Sequence, residues 1–280
     1  MTTSTVPART ARRRRAGGTG SLSGPTGLGL GVAVLWFSLL VLIPLGLVVT
    51  TAFSDGFAGF WDTITSPQTL SAVELTVVQS VLVTLLNVVM GTVIAWVLVR
   101  DRFPGKAVLD VVIDIPFALP TIVAGLVLLA LYGPQSPIGV NVANTRASVF
   151  LALAFVTLPF IVRTVQPVLE ELEADVEEAA ASLGAGRLTT FRRIILPSLV
   201  PSIAAGAALS FARGISEYGS LVLLSGNLPN RTEVVSVRVL TYIENGDPAA
   251  AAAAATLMLV VALAVIVALD VIQRRVARRG

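Results

Sequence analysis

The sequence contains no cysteine and no histidine. Their absence excludes disulfides, removes the usual zinc and haem ligands, and rules out Cys/His and Ser/His/Asp nucleophilic chemistry. Charge is scarce as well: 13% of the 280 residues are Asp, Glu, Lys or Arg, where a soluble domain carries roughly a quarter. Hydrophobic residues make up 55% and the mean hydropathy is +0.85. Such a chain cannot cover its own surface with polar groups, so lipid must be part of its solvent. No G-x-x-x-x-G-K-[ST] phosphate loop occurs anywhere, so the sequence offers no cradle for a nucleotide triphosphate. A net charge of +3 and a pI near 9.9 would suit nucleic acid. In a membrane protein, basic residues are more simply orientation signals, and their positions bear this out. An all-α integral membrane protein that binds no nucleic acid is the expectation.

A bilayer core of ~30 Å takes ~20 helical residues. By that rule six spans are expected, at 28–53, 70–99, 109–132, 148–165, 198–224 and 249–272. Residues 1–27 are polar and basic, with consecutive arginines at Arg12, Arg13, Arg14 and Arg15, and are expected to be disordered. The apolar stretch after them exceeds the ~7–15 residues of a secretory signal, so it is read as a retained first span. Pro44, Pro116, Pro120, Pro159 and Pro201 fall within spans and are read as kinks, which transmembrane helices tolerate. Asp247-Pro248 opens the alanine-rich last span.

With the N-terminus inside, sixteen Lys and Arg fall on cytoplasmic segments and three, Arg146, Arg231 and Arg238, fall outside. That asymmetry places both termini in the cytoplasm, with a basic tail at 273–280. The outer loops, 54–69, 133–147 and 225–248, read as Gly/Pro/Asn turn chemistry and little else.

Residues 166–197 join spans four and five on the cytoplasmic side. Leu169, Leu172, Val176, Ala179 or Ala180, and Leu183 recur at helical spacing, so one face of this segment is apolar. The opposite face carries Glu170, Glu171, Glu173, Asp175, Glu177 and Glu178. A helix lying on an anionic leaflet should present Lys and Arg there. This one has the opposite sign, so its stripe calls for burial in protein, its own or a partner's; a solvated acidic loop is the plain alternative. Gly184 is placed to stop the helix, and Gly186 loosens the link to a short basic segment ending at Pro197.

The loop resembles the EAA loop of ABC-importer permeases: Glu-Ala-Ala, three residues, Gly, nine residues, then Ile-x-Leu-Pro. Here Glu178, Ala179 and Ala180 are followed by Gly184 and by Ile194, Ile195, Leu196 and Pro197, with both spacings kept. The resemblance implies the type I ABC-importer permease fold and a coupling helix, Leu183 included, that docks on a separate ATP-hydrolysing subunit. It also implies that this chain is no enzyme and binds no cofactor, ATP and Mg residing on the partner. The partners so implied are a second permease subunit, two ATP-binding subunits and an extracytoplasmic binding protein.

The substrate is narrowed by two further stretches. DIPFALPTIVAGLVLLALYGPQSPIG at 114–139 and FARGISEYGSLVLLSGNLPNRTEV at 211–234 are similar to sulfate/thiosulfate permeases of the T type, which implies that the binding protein is a sulfate-binding protein and that the two permease subunits form a heterodimer. Molybdate permeases share the pattern around Arg213, Glu217, Gly226 and Asn227, so a molybdate or tungstate permease, usually a homodimer, is the alternative. Ser216 departs from the pattern, where a glycine is expected before the glutamate. A secondary anion transporter is more distant: it would not need this loop, and the paired interrupted helices it should show are not visible in the sequence.

Arg213 and Glu217 stand four apart in span five, so they can pair along one helix face. An ionisable residue near mid-membrane costs about 2.5–3.5 kcal/mol on insertion scales, and pairing lowers that cost. Two readings stay open. Arg213 can add positive potential to an anion route with Ser216, Ser220 and Ser225 as nearby donors, or the pair can simply pin span five to its neighbours. Asp114 is read as a cap for span three in preference to a partner for a basic loop residue. Trp61, Tyr132, Tyr218 and Tyr242 are read as anchors at the membrane interface.

Overall fold

The computed structural model describes residues 24–172, 178, 180 and 182–277, and every regular element among them is helical. The chain divides into two compact units, one ending at Leu47 and one starting at Val48. In the first, α1 (Gly24–Phe37), a π-helical turn at Ser38–Leu42 and the start of α2 (Ile43–Ala52) run as one helix. The π turn has a local cause. Pro44 lacks an N–H and its ring would press on the carbonyl four residues back, and widening the helix there relieves the clash. Leu28–Ala52, 25 residues of which an 18-residue stretch has a mean hydropathy of 2.7, is long enough to cross a membrane.

The second unit is built on α4 (Pro67–Arg100), α7 (Arg146–Glu171) and α9 (Leu196–Ile215), which pack on one another. Ser66 starts α4 by accepting the Thr69 N–H at 3.3 Å, with Pro67 at the first helical position. The 34 residues of α4 span about 51 Å, more than a bilayer core. Thr76, Ser80, Thr84, Asn87, Gly91 and Ala95 recur every three or four residues and are all buried. This seam of small and polar side chains is what brings helices close in lipid, where apolar surface gains little by leaving the tails. At Gly91 an added Cβ would lie 2.7 Å from Ile161. Asn87 Nδ2 donates to Thr157 Oγ1 at 2.9 Å and to the Ala154 carbonyl at 3.2 Å, which ties α4 to α7. One core gathers Leu75, Val83, Leu128, Val149, Leu153 and Leu221, and a second Leu98, Ile113, Ile161, Val165, Leu169 and Leu199.

Two expected spans are interrupted. Span three consists of α5 (Lys106–Ala118) and α6 (Thr121–Tyr132), bent by 116°. Leu119, the residue before Pro120, is extended (φ −83°, ψ 135°), as the proline ring requires. Pro116, by contrast, sits inside α5. Span five ends as a helix at Ile215, and a short α10 (Gly219–Leu224) follows the break at 216–218. α10 lies on α6, with Gly219 against Thr121 and Gly125 against Ser220. The two interruptions therefore lie side by side.

The loops expected outside hold more than turns: α3 (Gly56–Thr65) and α11 (Val235–Glu244) are helices. The last helix, α12 (Pro248–Ala277), opens as expected, Asp247 Oδ1 accepting the Ala250 N–H at 2.9 Å.

Asp114 is not a cap. It lies in the middle of α5, where Arg163 of α7 grips it with two nitrogens, Nε to Oδ1 at 2.8 Å and Nη2 to Oδ2 at 2.7 Å. Tyr242 is held within the protein: its hydroxyl lies 2.9 Å from Thr69 Oγ1 and the Arg238 guanidinium stacks 4.3 Å over its ring. Trp61 is exposed on α3.

Candidate functional site

The loop between spans four and five begins later than its sequence suggests. α7 continues past Val165 to Glu171, so Leu169 belongs to the span-four helix and is buried in the second core. Leu172 ends the helix, and its carbonyl accepts from Arg100 Nη2 at 3.2 Å. Ala179 and half of the acidic face, Glu173, Asp175 and Glu177, lie outside the described residues. Beyond them Ala180 is buried, Glu178 is exposed and Leu183 is 89% exposed. The helix stop expected at Gly184 is there: its φ is +81°, and the Ala185 N–H reaches back to the Ala180 carbonyl at 3.0 Å. This is the six-to-one closure of a helix end, which needs a left-handed residue at that position.

After the turn, Arg187–Thr190 (α8), a π-helical turn at Phe191–Ile195 and α9 form one continuous helix, Arg187–Ile215. The separate short helix expected to end at Pro197 is thus the first part of span five. Here too a π turn precedes a proline. Ile195 is buried, Ile194 and Leu196 are half-buried, and Pro197 is exposed. Trp96 and Phe191 meet edge to face, with ring centroids 5.6 Å apart. They help line a cleft of about 510 Å³ with Arg100, Asp101, Glu178 and Arg187. The cleft offers both signs of charge beside two exposed leucines, Leu183 and Leu188.

The four pathway candidates separate into two kinds. Glu217 is fully buried: Arg213 Nη2 lies 2.7 Å from its Oε2, while its Oε1 accepts the Ser220 N–H at 2.8 Å and the Ser220 hydroxyl at 2.9 Å. Its carbonyl accepts from Ser236 Oγ at 2.7 Å. Glu217 therefore caps α10 and anchors it to α9 and α11, and Ser220, also fully buried, is occupied by that cap. Arg213 keeps 30% of its side chain exposed. Ser216 is exposed and donates to the Arg213 carbonyl at 3.1 Å. Ser225 is turned to the loop after α10, where its hydroxyl donates to Asn227 Oδ1 at 3.0 Å.

In the loop before α11, Glu233 is buried and its Oε1 is 3.9 Å from Arg238 Nη1. Burial pushes this carboxyl above the usual glutamate range, and Arg238 offsets the shift only in part. The folded state therefore favours the protonated acid. The stability this contributes is full at low pH and declines as the pH climbs past the ordinary glutamate value toward the raised one. Glu233→Gln does not titrate, so the thermal midpoint of the unaltered protein should fall relative to this variant over that interval. A constant difference between the two across pH would contradict it.

Sequence reasoning missed Arg163, whose guanidinium gathers Asp110, Asp114 and Gln166. Its two carboxylate partners stand 49 and 53 residues away in the chain, and no local spacing announces them.

Residues 87–279 match the family model described as "binding-protein-dependent transport system inner membrane component". The chain is 40% identical over 259 residues to the sulfate transport system permease protein CysT of Salmonella typhimurium, covering 90% of this chain and 94% of that one. It is 42% identical over 250 residues to the protein of the same name from Synechocystis, covering 87% of each. Among solved structures, a bacterial ABC transporter that imports the acidic polysaccharide alginate superposes with a TM-score of 0.74 at 19% identity, over 89% of this chain and 94% of that one. The MetNI methionine ABC transporter gives 0.55 at 17%, over 75% and 94%.

Proposed function

This chain belongs to the family of binding-protein-dependent transport system inner membrane components, and from that premise we propose that it is the T-type permease subunit of a sulfate/thiosulfate importer. The observation that carries the substrate is about 40% identity to sulfate permeases along nearly the whole of both chains. A membrane subunit of this kind catalyses no reaction. ATP is hydrolysed by separate subunits, and the difference in their binding energy between two states moves the spans.

In this reading the anion comes from an extracytoplasmic binding protein, and a second permease subunit completes the pore. Both termini lie in the cytoplasm, as the bias of basic residues favours. Two ATPase subunits receive the loop built on Glu178, Ala179, Ala180, Leu183 and Gly184, with Ile194, Leu196 and Pro197 carrying its motion into α9. The exposure of Leu183 and Leu188 beside the mixed-charge cleft supports this role, because two large apolar side chains at a rigid helix stop suit a partner's groove. Arg213 and Ser216, which keep exposed surface, face the anion's route, while Glu217 and Ser220 hold their geometry.

The substrate is tested by uptake of labelled sulfate in cells lacking their own system, with molybdate as competitor. Sulfate uptake that molybdate barely inhibits is the expected result. Uptake of molybdate in preference would overturn the assignment in favour of a molybdate or tungstate permease.

A further inference from the structure

We propose that Arg163 is a positioning residue: it locks α5 to α7, so that movement of the cytoplasmic loop carries the inner half of the broken third span with it. The proposal rests on the coupling role given above to residues 178–197.

The geometry is that of a lock. All five N–H donors of the guanidinium are used. Nε and Nη2 take the two oxygens of Asp114, Nη1 takes Asp110 Oδ1 at 2.7 Å and Gln166 Oε1 at 2.7 Å, and Nη2 also reaches the Asp110 carbonyl at 2.8 Å. Gln166 then donates to Glu170 Oε1 at 3.0 Å, in the last turn of α7 before the loop. The chain of bonds thus runs from the middle of α5 to the root of the loop. A planar fork that holds two residues one turn apart fixes rotation and register as well as proximity.

Apolar packing alone would not do this. On α5 only Ile113 is buried, while Val108, Val111, Val112, Ile115 and Phe117 are exposed. The bend at 119–120 separates α5 from α6, so α5 takes its orientation chiefly from α7. Nor does the cluster suit the anion itself. Arg163 has no donor left to offer, and two aspartates against one arginine leave the cluster negative.

The test uses the assembled importer in proteoliposomes with its binding protein, reading ATPase association, ATP hydrolysis and sulfate imported per ATP. Arg163→Gln should assemble and hydrolyse ATP, with import per ATP reduced roughly tenfold, within the usual span of coupling energies. A residue with only a structural role would lower the amount of complex and leave that ratio unchanged. The chain is free of cysteine, so Phe117→Cys with Phe160→Cys, whose rings meet at 4.9 Å across the same seam, can be joined by a short bifunctional thiol reagent. This staple should be harmless beside Arg163 and should restore the ratio in Arg163→Gln.

An unchanged ratio in Arg163→Gln, a staple that blocks transport beside Arg163, or a staple that fails to restore it each overturns the proposal. Should Arg163→Gln reach the membrane poorly, the ratio is read in Asp114→Asn, where a several-fold fall is expected and no fall overturns it. Normal ATPase association in Gly184→Pro would instead defeat the underlying coupling role, so the two failures are distinguishable.

Discussion

Gly184→Pro is expected to abolish co-purification of the ATP-hydrolysing subunits while leaving the chain inserted in the membrane. Proline fixes φ near −65°, whereas Gly184 sits at +81°, so the bond from the Ala185 N–H to the Ala180 carbonyl cannot survive. The cost falls on the turn that presents Leu183, not on the spans. A graded series separates backbone from bulk. An added Cβ at 184 meets nothing within 4 Å, so Gly184→Ala carries only the left-handed penalty of about 1–2 kcal/mol and should weaken association without abolishing it. Gly184→Asn, which tolerates that conformation, should lie closest to the unaltered protein. Glu178→Lys should resemble proline for another reason, since it places a cation in a cleft already holding Arg100 and Arg187. Normal ATPase recovery with the proline and lysine variants would remove the coupling role from this loop.

What the sequence revealed and what it hid follow the range of the interactions. The apolar stretches were legible because crossing lipid is a demand of solvent on each segment, independent of its neighbours. The stop at Gly184 was legible because a left-handed turn selects its residue locally. The break in span three was not. Pro116 and Pro120 are equally proline, yet one sits inside α5 and the other ends it. The choice is made from outside, where Gly219 and Ser220 of α10 pack closely on Thr121 and Gly125 and require α6 to start afresh. Arg163 was invisible for the same reason, its carboxylate partners belonging to another helix. In α11 the turn residues on either side outweighed the signal of a ten-residue helix.

Glu217→Ala should be the most damaging single change around the second break, lowering stability by about 3–5 kcal/mol. It removes the cap on α10 and leaves Arg213 with an uncompensated charge against the core. The measure is the thermal midpoint of the detergent-solubilised complex. Glu217→Gln keeps an oxygen for the Ser220 N–H but not the countercharge, so it should fall between. The double variant Arg213→Met with Glu217→Gln decides what the arginine is for. Removing both charges together leaves no ion unpaired, and such replacements are often neutral for stability, so the midpoint should recover. If the pair only pins α9 to its neighbours, sulfate uptake recovers with it. The 30% of Arg213 left exposed, on a helix that begins at the coupling loop, argues for the other outcome: a stable, fully assembled permease in which uptake stays low because the positive charge on the anion's route is gone.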